Sequence, residues 1–369
     1  MNRFKETIQE LKNNGNYREL RSSLPAHSIN LSSNDYLGLL NEEQLYANFI
    51  EELHSSKHAF SAASSRLLTG NSKEYKLLES VLTQQYKKEA ALVFNSGYHA
   101  NCGILPALAS SKDLILADKL VHASIIDGLK LSSAQFERYR HLDYEHLEKI
   151  LKEKRHKHEN VWIVSESIFS MDGDCANLQK LVEIKQLYNT FLYIDEAHAL
   201  GVRGLNGLGI CEEQNCIENC DFIVGTFGKA IASVVAFVVC NNICATYLIN
   251  HARTLIFTTA LPPINLAWTR FIMEQLPQFK EKRMCLETAR KELESLLQVS
   301  SDSHIIPAII GSNKQAIDCS KELCENGIYV LPIRYPTVPK NTARLRFSLY
   351  AGVPVQKLSI IPKIISQYI

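Results

Sequence analysis

Short apolar runs alternate with helical patterns over residues 90–240, and this alternation limits the folds open to the chain. Six strand candidates are separated by segments whose apolar residues recur on one helical face. The candidates are AALVFNSG, LILAD, VWIVSES, FLYIDEAH, DFIVGTFG and VVAFVVC. Strands that alternate with helices build a parallel sheet covered by helices. We therefore predict an α/β fold whose ligands bind beyond the carboxyl ends of the strands.

The pattern changes after the motif TTALPP, where helical periodicity and then short strand candidates follow. A chain of 369 residues is long enough for one large domain and a smaller one. We predict an N-terminal segment (residues 1–45) that packs with the small domain. The large domain (46–265) has a mostly parallel central sheet flanked by helices, and the small C-terminal domain (266–369) is α+β.

Charge and cysteine content restrict the class of protein. Lysine and arginine total 40 against 39 acidic residues, so no net field attracts nucleic acid or an anionic membrane. The polar N-terminal stretch lacks the apolar core of a signal peptide, and we expect a cytoplasmic protein. The ten cysteines lack the spacing of a metal site, so we predict reduced thiols and no bound metal.

One lysine, Lys229, lies in the otherwise almost uncharged stretch DFIVGTFGKAIASVVAFVVC. A lysine in such a setting needs its amine neutralised, paired or chemically used. By itself it is also compatible with a side chain that extends from a strand end into water.

Polar groups follow the ends of several strand candidates. Asp195, Glu196 and His198 follow one, and Glu166, Ser170 and Thr226 lie near the ends of two others. Ser96, Gly97 and Tyr98 mark a strand-to-helix junction whose N–H groups could hold a phosphate. Each motif has a structural alternative: a helix cap, a surface histidine or a turn. Because all of them follow strands of one sheet, a shared binding site is the better interpretation.

These groups suit pyridoxal phosphate. Its aldehyde forms a Schiff base with a lysine, its phosphate needs N–H donors, and its ring nitrogen needs a carboxylate to stay protonated. We therefore predict that Lys229 binds this cofactor.

Ordered motifs along nearly the whole chain resemble the α-oxoamine synthases. These are pyridoxal-phosphate enzymes with the aspartate-aminotransferase fold, also called fold type I. The matching segments are LSSNDYLGL, SSRLLTGN, FNSGYHAN, DKLVHASIIDG, ESIFSMDGD, IDEAHALGVRG, GTFGKA, TTALPP and RYPTVPKNTARLR.

The resemblance implies roles for individual residues. Lys229 carries the cofactor, Asp195 pairs with the ring nitrogen, His198 lies near the ring hydroxyl and His122 stacks on the ring. The remaining cofactor-binding residues that it implies are Gly97, Tyr98, Ser170, Thr226 and, from a second subunit, Thr259. It also implies a homodimer with the active site at the subunit interface.

Substrate roles follow in the same way. The resemblance implies that Arg346 binds the amino-acid carboxylate, for which a planar guanidinium is well suited. Arg21 and Thr337 match positions that contact substrate, with Asn34 nearby. The implied reaction is a decarboxylating condensation of L-alanine with a pimeloyl thioester carried by coenzyme A or acyl carrier protein.

Three features depart from the family pattern. Ala232 and Val235 replace glycines of the GKALGSxGA pattern, and SAASSR replaces GSGGSR. Gly352 stands near the place of a common histidine. All proposed catalytic groups are present, so these changes bear on rate and substrate fit.

Alternative functions stay open. One is condensation of glycine with acetyl-CoA or succinyl-CoA, although Ser65 leaves room for the alanine methyl where a threonine would crowd it. A non-catalytic subunit of this fold would be expected to lack Lys229, and a plain aminotransferase would lack the RYPTVPKNTARLR tail.

Overall fold

The computed structural model describes residues 1–20, 24–25, 27–54 and 58–369. Arg21, a predicted substrate-binding residue, lies outside the described residues. The α-helices within the described ranges are α1 Asn2–Asn13, α2 Glu43–His54, α3 Lys73–Tyr86, α4 Gly97–Leu108, α5 Ala123–Leu131, α6 Tyr144–Lys154, α7 Leu178–Tyr188, α8 Ile210–Glu213, α9 Asn242–His251, α10 Arg253–Ile256, α11 Pro263–Gln275, α12 Lys280–Leu297, α13 Asn313–Glu325 and α14 Ile360–Ile365.

The strands of the same ranges fall into three sheets. They are β1 Ile29–Asn30, β2 Ala90–Phe94, β3 Leu114–Asp118, β4 Gln135–Tyr139, β5 Val161–Glu166, β6 Phe191–Asp195, β7 Phe222–Thr226, β8 Ala236–Cys240, β9 Ile305–Gly311, β10 Ile328–Tyr329, β11 Pro332–Ile333 and β12 Ala343–Ser348.

The central sheet has the strand order β2-β8-β7-β6-β5-β3-β4. Strands β3 to β7 pair in parallel, whereas β8 is antiparallel to both β7 and β2. All residues of β3, β5 and β8 are buried, which accounts for their continuous apolar runs. The predicted α/β fold with a mostly parallel sheet flanked by helices is confirmed.

Strand β4 was not among the six strand candidates. Its sequence QFERY is polar, and most of its side chains are exposed or half-buried. It lies at the edge of the sheet and pairs only with β3. An edge strand of this kind lacks the apolar run by which buried parallel strands are recognised.

The helices after β2 and β3 begin at polar caps. The side chain of Ser96 accepts a hydrogen bond from the N–H of His99 at the start of α4. His122 caps α5 in the same way, through the N–H of Ser124. These caps satisfy backbone donors that a helix start leaves open, and they fix where each helix begins at the strand ends.

Contacts within the chain group it into two compact units. The first unit comprises residues 1–36, 170–174 and 284–369, and the second comprises residues 37–169 and 175–283. The central sheet belongs to the second unit. The first unit contains the antiparallel sheet β11-β12-β9 and the short parallel pair of β1 with β10.

None of the helices in the described ranges combines the length and apolar character needed to cross a bilayer.

Candidate active site

In the second unit, the carboxyl ends of parallel strands bring the predicted cofactor residues to one edge of the central sheet. Asp195 ends β6, Thr226 ends β7 and Glu166 ends β5. Strand β2 runs in the same direction as β7, because β8 is antiparallel to both. The start of α4 therefore lies at this edge too. Ligands of open α/β sheets bind at this edge.

Lys229 and His198 are in direct contact. The Nζ atom of Lys229 lies 2.8 Å from the Nε2 atom of His198. Lys229 follows β7 and is half-buried, whereas His198 follows β6 and is buried. The structure thus brings the predicted cofactor-binding lysine beside a second predicted catalytic residue.

Asp195 is buried and held by two N–H donors. Its Oδ2 atom accepts a 2.8 Å hydrogen bond from the side-chain amide of Asn101. Its Oδ1 atom accepts a 2.9 Å hydrogen bond from the backbone N–H of Ala197. Because the two donors bind different oxygens, they fix the rotation of the carboxylate. A fixed carboxylate is what the predicted pairing with the cofactor's ring nitrogen needs.

His122 receives hydrogen bonds on one ring nitrogen. The N–H of Ser124 donates to Nδ1 over 3.2 Å, and the Ser124 hydroxyl lies 2.8 Å from the same atom. The surrounding protein desolvates the imidazole and lowers its pKa, although part of the residue is accessible to solvent. The charge of Asp195 opposes this shift and that of Lys229 adds to it.

Glu166 is the buried neighbour of His122. One of its carboxyl oxygens accepts a hydrogen bond from the His122 backbone N–H. Burial raises the pKa of Glu166 well above its ordinary value, and the charge of Asp195 raises it further. Glu166 therefore anchors the backbone of His122.

Glu196 has a structural role that the sequence did not reveal. Its carboxylate accepts hydrogen bonds from the Ser167 hydroxyl and from the N–H groups of Ile210 and Cys211, which start α8. A Cβ atom at Gly209, where φ is +108°, would lie within 2.8 Å of both Glu196 carboxylate oxygens. Glycine at this position permits the close approach of backbone and carboxylate.

The N-terminus of α4 has the features of a phosphate site. The N–H groups of Gly97 and Tyr98 have no acceptor within the described part of the chain. A Cβ atom at Gly97 would lie 3.6 Å from the Cβ atom of Thr226, so the glycine keeps this space open. Open N–H donors at a helix start, next to a hydroxyl, fit a phosphate group.

Two other predicted residues of the second unit lie near this helix. The Tyr98 hydroxyl donates a 2.8 Å hydrogen bond to Asp127, which raises the pKa of Tyr98 to about 12. The side chain of Thr259 is exposed, and its backbone oxygen accepts a hydrogen bond from Asn95, which follows β2.

The first unit holds the other predicted residues, Asn34, Ser170, Thr337 and Arg346. Arg346 lies in β12, is 9% exposed and donates to the Ser170 carbonyl, the Asn34 amide oxygen and the Tyr36 hydroxyl. These partners are neutral, and no carboxylate of the described residues lies within 4 Å of its guanidinium. Its neighbour Arg344, by contrast, is paired with Asp172.

Thr337 lines a cavity of about 580 Å³ within the first unit. Its hydroxyl accepts a 3.2 Å hydrogen bond from Arg18. Arg18, Lys321 and Arg334 give this cavity a cationic lining, with Glu19 as the acidic residue among the lining groups.

The departures from the family glycine pattern coincide with left-handed backbone. Ala63 has φ +51°, Ala232 has φ +46° and Val235 has φ +83°. Ala232 and Val235 flank the turn after Lys229, which is tied down by hydrogen bonds from Trp268 Nε1 to the Ala232 carbonyl and from Phe227 N–H to the Val235 carbonyl. A β-branched residue in this region is strained, so the fold holds this turn against its local preference.

Three residues that support the site received no role from the sequence: Asn101, Ser124 and Tyr193. Asn101 ends the motif FNSGYHAN and precedes apolar residues of a helix. A polar residue in this setting is the one sequence feature that indicates a role for Asn101. Its bonding partners lie on β6 and α5, and no local pattern identifies them.

Comparison with known proteins places the chain among related enzymes. The family model for aminotransferase class I and II matches residues 26–364. A Haemophilus influenzae protein with the provisional name 8-amino-7-oxononanoate synthase is 49% identical, covering 97% of this chain and 98% of the relative.

Two solved structures are similar over most of the chain. A variant of serine palmitoyltransferase from S. paucimobilis, solved with a bound pyridoxal-phosphate–myriocin aldimine, has a TM-score of 0.88 and 28% identity, covering 98% of this chain and 96% of that one. The 8-amino-7-oxononanoate synthase of Francisella tularensis has a TM-score of 0.78 and 32% identity, covering 92% and 97%.

The fold is therefore that of fold type I pyridoxal-phosphate enzymes, whose members are typically dimeric. The predicted cofactor, pyridoxal phosphate, is confirmed, as is the predicted resemblance to α-oxoamine synthases. The chain belongs to the class I and II aminotransferase family and is a pyridoxal-phosphate-dependent acyltransferase.

Proposed function

We propose that this chain condenses L-alanine with a pimeloyl thioester to give 8-amino-7-oxononanoate, carbon dioxide and the free carrier, a step of biotin biosynthesis. The names of the Haemophilus influenzae relative and of the Francisella tularensis structure support this activity. In the reaction, the alanine Cα–H bond breaks and a Cα–acyl bond forms as the carrier leaves as a thiolate, which takes up a proton. The bond from Cα to the carboxylate then breaks to release carbon dioxide, and a proton returns to Cα.

The observation that carries the proposal at the site is the buried guanidinium of Arg346. A buried charge without an opposite partner is costly, so an arginine in this state favours binding of an anion. Three neutral acceptors hold the guanidinium, and its other N–H groups can face a carboxylate in the paired geometry that arginine favours. We assign this position to the carboxylate of the amino-acid substrate.

Pyridoxal phosphate, when bound, supplies an aldehyde that attaches the substrate nitrogen and a ring that accepts the electrons of a bond broken at Cα. Lys229 would hold the aldehyde and then take the proton from Cα. His198, 2.8 Å from the amine, would orient Lys229 for this proton transfer. The residues present therefore fit the cofactor.

Other residues of the second unit would hold the ring and the phosphate. Asp195 would keep the ring nitrogen protonated, and His122 would lie against the ring. The phosphate would bind at the open N–H groups of α4 beside Thr226. The complete set that we assign to the cofactor is Lys229, Asp195, His198, His122, Gly97, Tyr98, Ser170, Thr226 and Thr259.

The acyl substrate would meet residues of the first unit. The cavity beside Thr337 is lined by Arg18, Lys321 and Arg334, and its charge suits an acyl chain that ends in a carboxylate. Arg21 and Asn34 complete the set that we assign to substrates. The carrier is coenzyme A or acyl carrier protein, and both are tested below.

Product analysis tests the proposal. The purified enzyme is supplied with alanine or glycine, and with pimeloyl, succinyl or acetyl thioesters on either carrier. We expect the highest kcat/KM for alanine with a pimeloyl thioester. Residual use of glycine is expected, because one methyl group discriminates by only about 1–3 kcal/mol. A preference for glycine with acetyl or succinyl thioester would identify a different α-oxoamine synthase.

We further propose a homodimer in which Thr259 serves the neighbouring cofactor. The exposed side chain of Thr259 and the dimeric habit of the fold family support this arrangement. A cytoplasmic location is also proposed, because each of the ten cysteines is present as a thiol.

A further inference from the structure

Asn101 lies at the centre of a buried hydrogen-bond network in the second unit. It is 2% exposed, and the neighbouring buried residues of α4 are largely apolar. Its amide nitrogen donates to Asp195 Oδ2 over 2.8 Å and to Ser124 Oγ over 2.9 Å. Its amide oxygen accepts a 2.6 Å hydrogen bond from the Tyr193 hydroxyl. Each polar atom of this side chain therefore has a specific partner.

The partners determine which way the amide faces. A carboxylate of Asp195 only accepts hydrogen bonds, so it requires the NH₂ group of Asn101 rather than the oxygen. With the amide reversed, its oxygen would face the Asp195 carboxylate and its NH₂ group would face the Tyr193 hydroxyl. The network is fully satisfied in one orientation only, which rigidifies it.

The network continues from Asn101 to His122. Ser124 Oγ accepts from the Asn101 amide and lies 2.8 Å from His122 Nδ1, to which it can donate its proton. The backbone N–H of Ser124 points at the same nitrogen. Two donors that converge on Nδ1 require this atom to be unprotonated. The ring proton of the neutral imidazole is therefore on Nε2.

We propose that Asn101 is a positioning residue that orients the Asp195 carboxylate and, through Ser124, holds His122 as the neutral Nε2–H tautomer. The inference rests on the proposed function only in taking Asp195 and His122 as the groups that face the cofactor ring. A neutral His122 would leave Asp195 as the group that sets the charge at the ring. A protonated His122 would compete for this carboxylate and weaken its hold on the ring nitrogen.

The tautomer of His122 is measurable in the apoenzyme by nitrogen NMR of ¹⁵N-histidine-labelled protein. The His122 signals are assigned by their loss in His122→Gln. The charged or titratable groups near this ring are Asp195, Lys229, Asp127 and Glu166. All spectra are therefore recorded at one fixed pH, above the ordinary pKa range of histidine, so that changes in the charge of these groups do not alter the comparison. In wild type we expect one Nε2–H tautomer.

Three variants separate the parts of the network. Ser124→Ala removes one donor to Nδ1, and Asn101→Ala removes the group that orients the Ser124 hydroxyl. In both we expect a mixture of the two tautomers. Asn101→Ala should also weaken pyridoxal-phosphate binding about tenfold, as loss of a residue that orients a ligating group does. Tyr193→Phe should have a smaller effect of the same kind.

The matched control is Asn160→Ala. The Asn160 amide donates a 3.0 Å hydrogen bond to the buried carboxylate of Asp113. The Asn160→Ala substitution therefore removes the same type of amide–carboxylate contact elsewhere in the second unit. It should change neither the His122 tautomer nor cofactor affinity. If Asn101→Ala fails to fold, Ser124→Ala and Tyr193→Phe test the two arms separately.

A single Nε2–H tautomer retained in both Asn101→Ala and Ser124→Ala, or an Nδ1–H tautomer in wild type, would overturn the proposal. So would unchanged cofactor affinity in Asn101→Ala. The NMR measurement needs no substrate. If the proposed function is wrong, product analysis will show it, while the His122 nitrogen signals of the apoenzyme will still show the expected tautomer. The two outcomes are therefore distinguishable.

Discussion

The Nζ atom of Lys229 lies 2.8 Å from the Nε2 atom of His198, and the two residues follow neighbouring parallel strands, β7 and β6. Ammonium groups only donate hydrogen bonds, so whenever Lys229 is protonated the imidazole must accept through Nε2. We therefore expect His198 to orient the Lys229 amine for the cofactor binding and proton transfer that the proposed function assigns to it.

Lys229 is expected to be the site of covalent cofactor attachment. Borohydride reduction of the holoenzyme should fix pyridoxal phosphate to this residue, and Lys229→Ala should lose both the label and turnover. Peptide mapping identifies the labelled residue. The control is Lys88→Ala, since Lys88 is bound to backbone oxygens of Glu218 and Cys220. A label on any lysine other than Lys229 would refute the assignment.

Asp195→Asn should fold but lose most activity. The side chains are nearly the same size, yet the amide cannot keep the ring nitrogen protonated. One strong contact that acts in the transition state is worth roughly 2–4 kcal/mol, or about 10²–10³ in kcat. Asp221→Asn is the control, because Asp221 accepts from the Leu192 N–H at the start of β6. Activity within a factor of two of wild type would contradict the role of Asp195.

Arg346→Lys should raise KM for the amino acid more than it lowers kcat. Lysine keeps the charge but loses the planar pair of donors, and a hydrogen bond to a charged group contributes about 1.5–3 kcal/mol. KM should therefore increase roughly tenfold to a hundredfold. The control is Arg290→Lys, whose arginine is paired with Glu287 and Glu294. An unchanged KM would show that another group receives the carboxylate.

Mixed dimers test whether Thr259 acts across the subunit interface. We expect Lys229→Ala to be inactive and Thr259→Ala to be impaired when each forms a homodimer by itself. If Thr259 serves the neighbouring site, a heterodimer combines both defects in one site and leaves the other intact. Mixing should then restore activity in proportion to the heterodimer formed. Activity that never exceeds that of the separate mutants would exclude the shared site.

Glycine at Ala63 or Ala232 should stabilise the protein. A left-handed backbone costs an L-residue about 1–2 kcal/mol, and glycine relieves this strain. Glycine also gives the unfolded chain more conformational freedom, which offsets the relief by about 0.4–1 kcal/mol. Denaturant unfolding should therefore show a higher free energy of unfolding by up to about 1.6 kcal/mol. Val235 is unsuitable for this test, because glycine would also remove its buried side chain.

Ala62→Gly is the matched control for this prediction. Ala62 adjoins Ala63 but lies outside the left-handed region. The same substitution there relieves no strain and should lower the free energy of unfolding by roughly 0.5–1 kcal/mol. Equal effects at residues 62 and 63 would show that the left-handed backbone carries no strain.

The fold class and the chemical groups of the site can be predicted from the sequence alone. Buried parallel strands require continuous apolar runs, and these runs were visible over residues 90–240. The lysine, the aspartate and the helix start each followed a strand, so their common edge could be inferred before any contact was known. The polar edge strand β4 was missed because it buries little of its surface.

Which side chains contact one another cannot be predicted from the sequence pattern. Asn101 and Asp195 are 94 residues apart in the sequence, and Asn34 and Arg346 are 312 apart. The left-handed backbone at Ala232 and Val235 likewise contradicts local preference and is held by distant groups such as Trp268. Periodicity reports how a segment faces its immediate surroundings, whereas a hydrogen bond between distant residues depends on how whole elements pack. That packing is a property of the folded chain, and no local pattern records it.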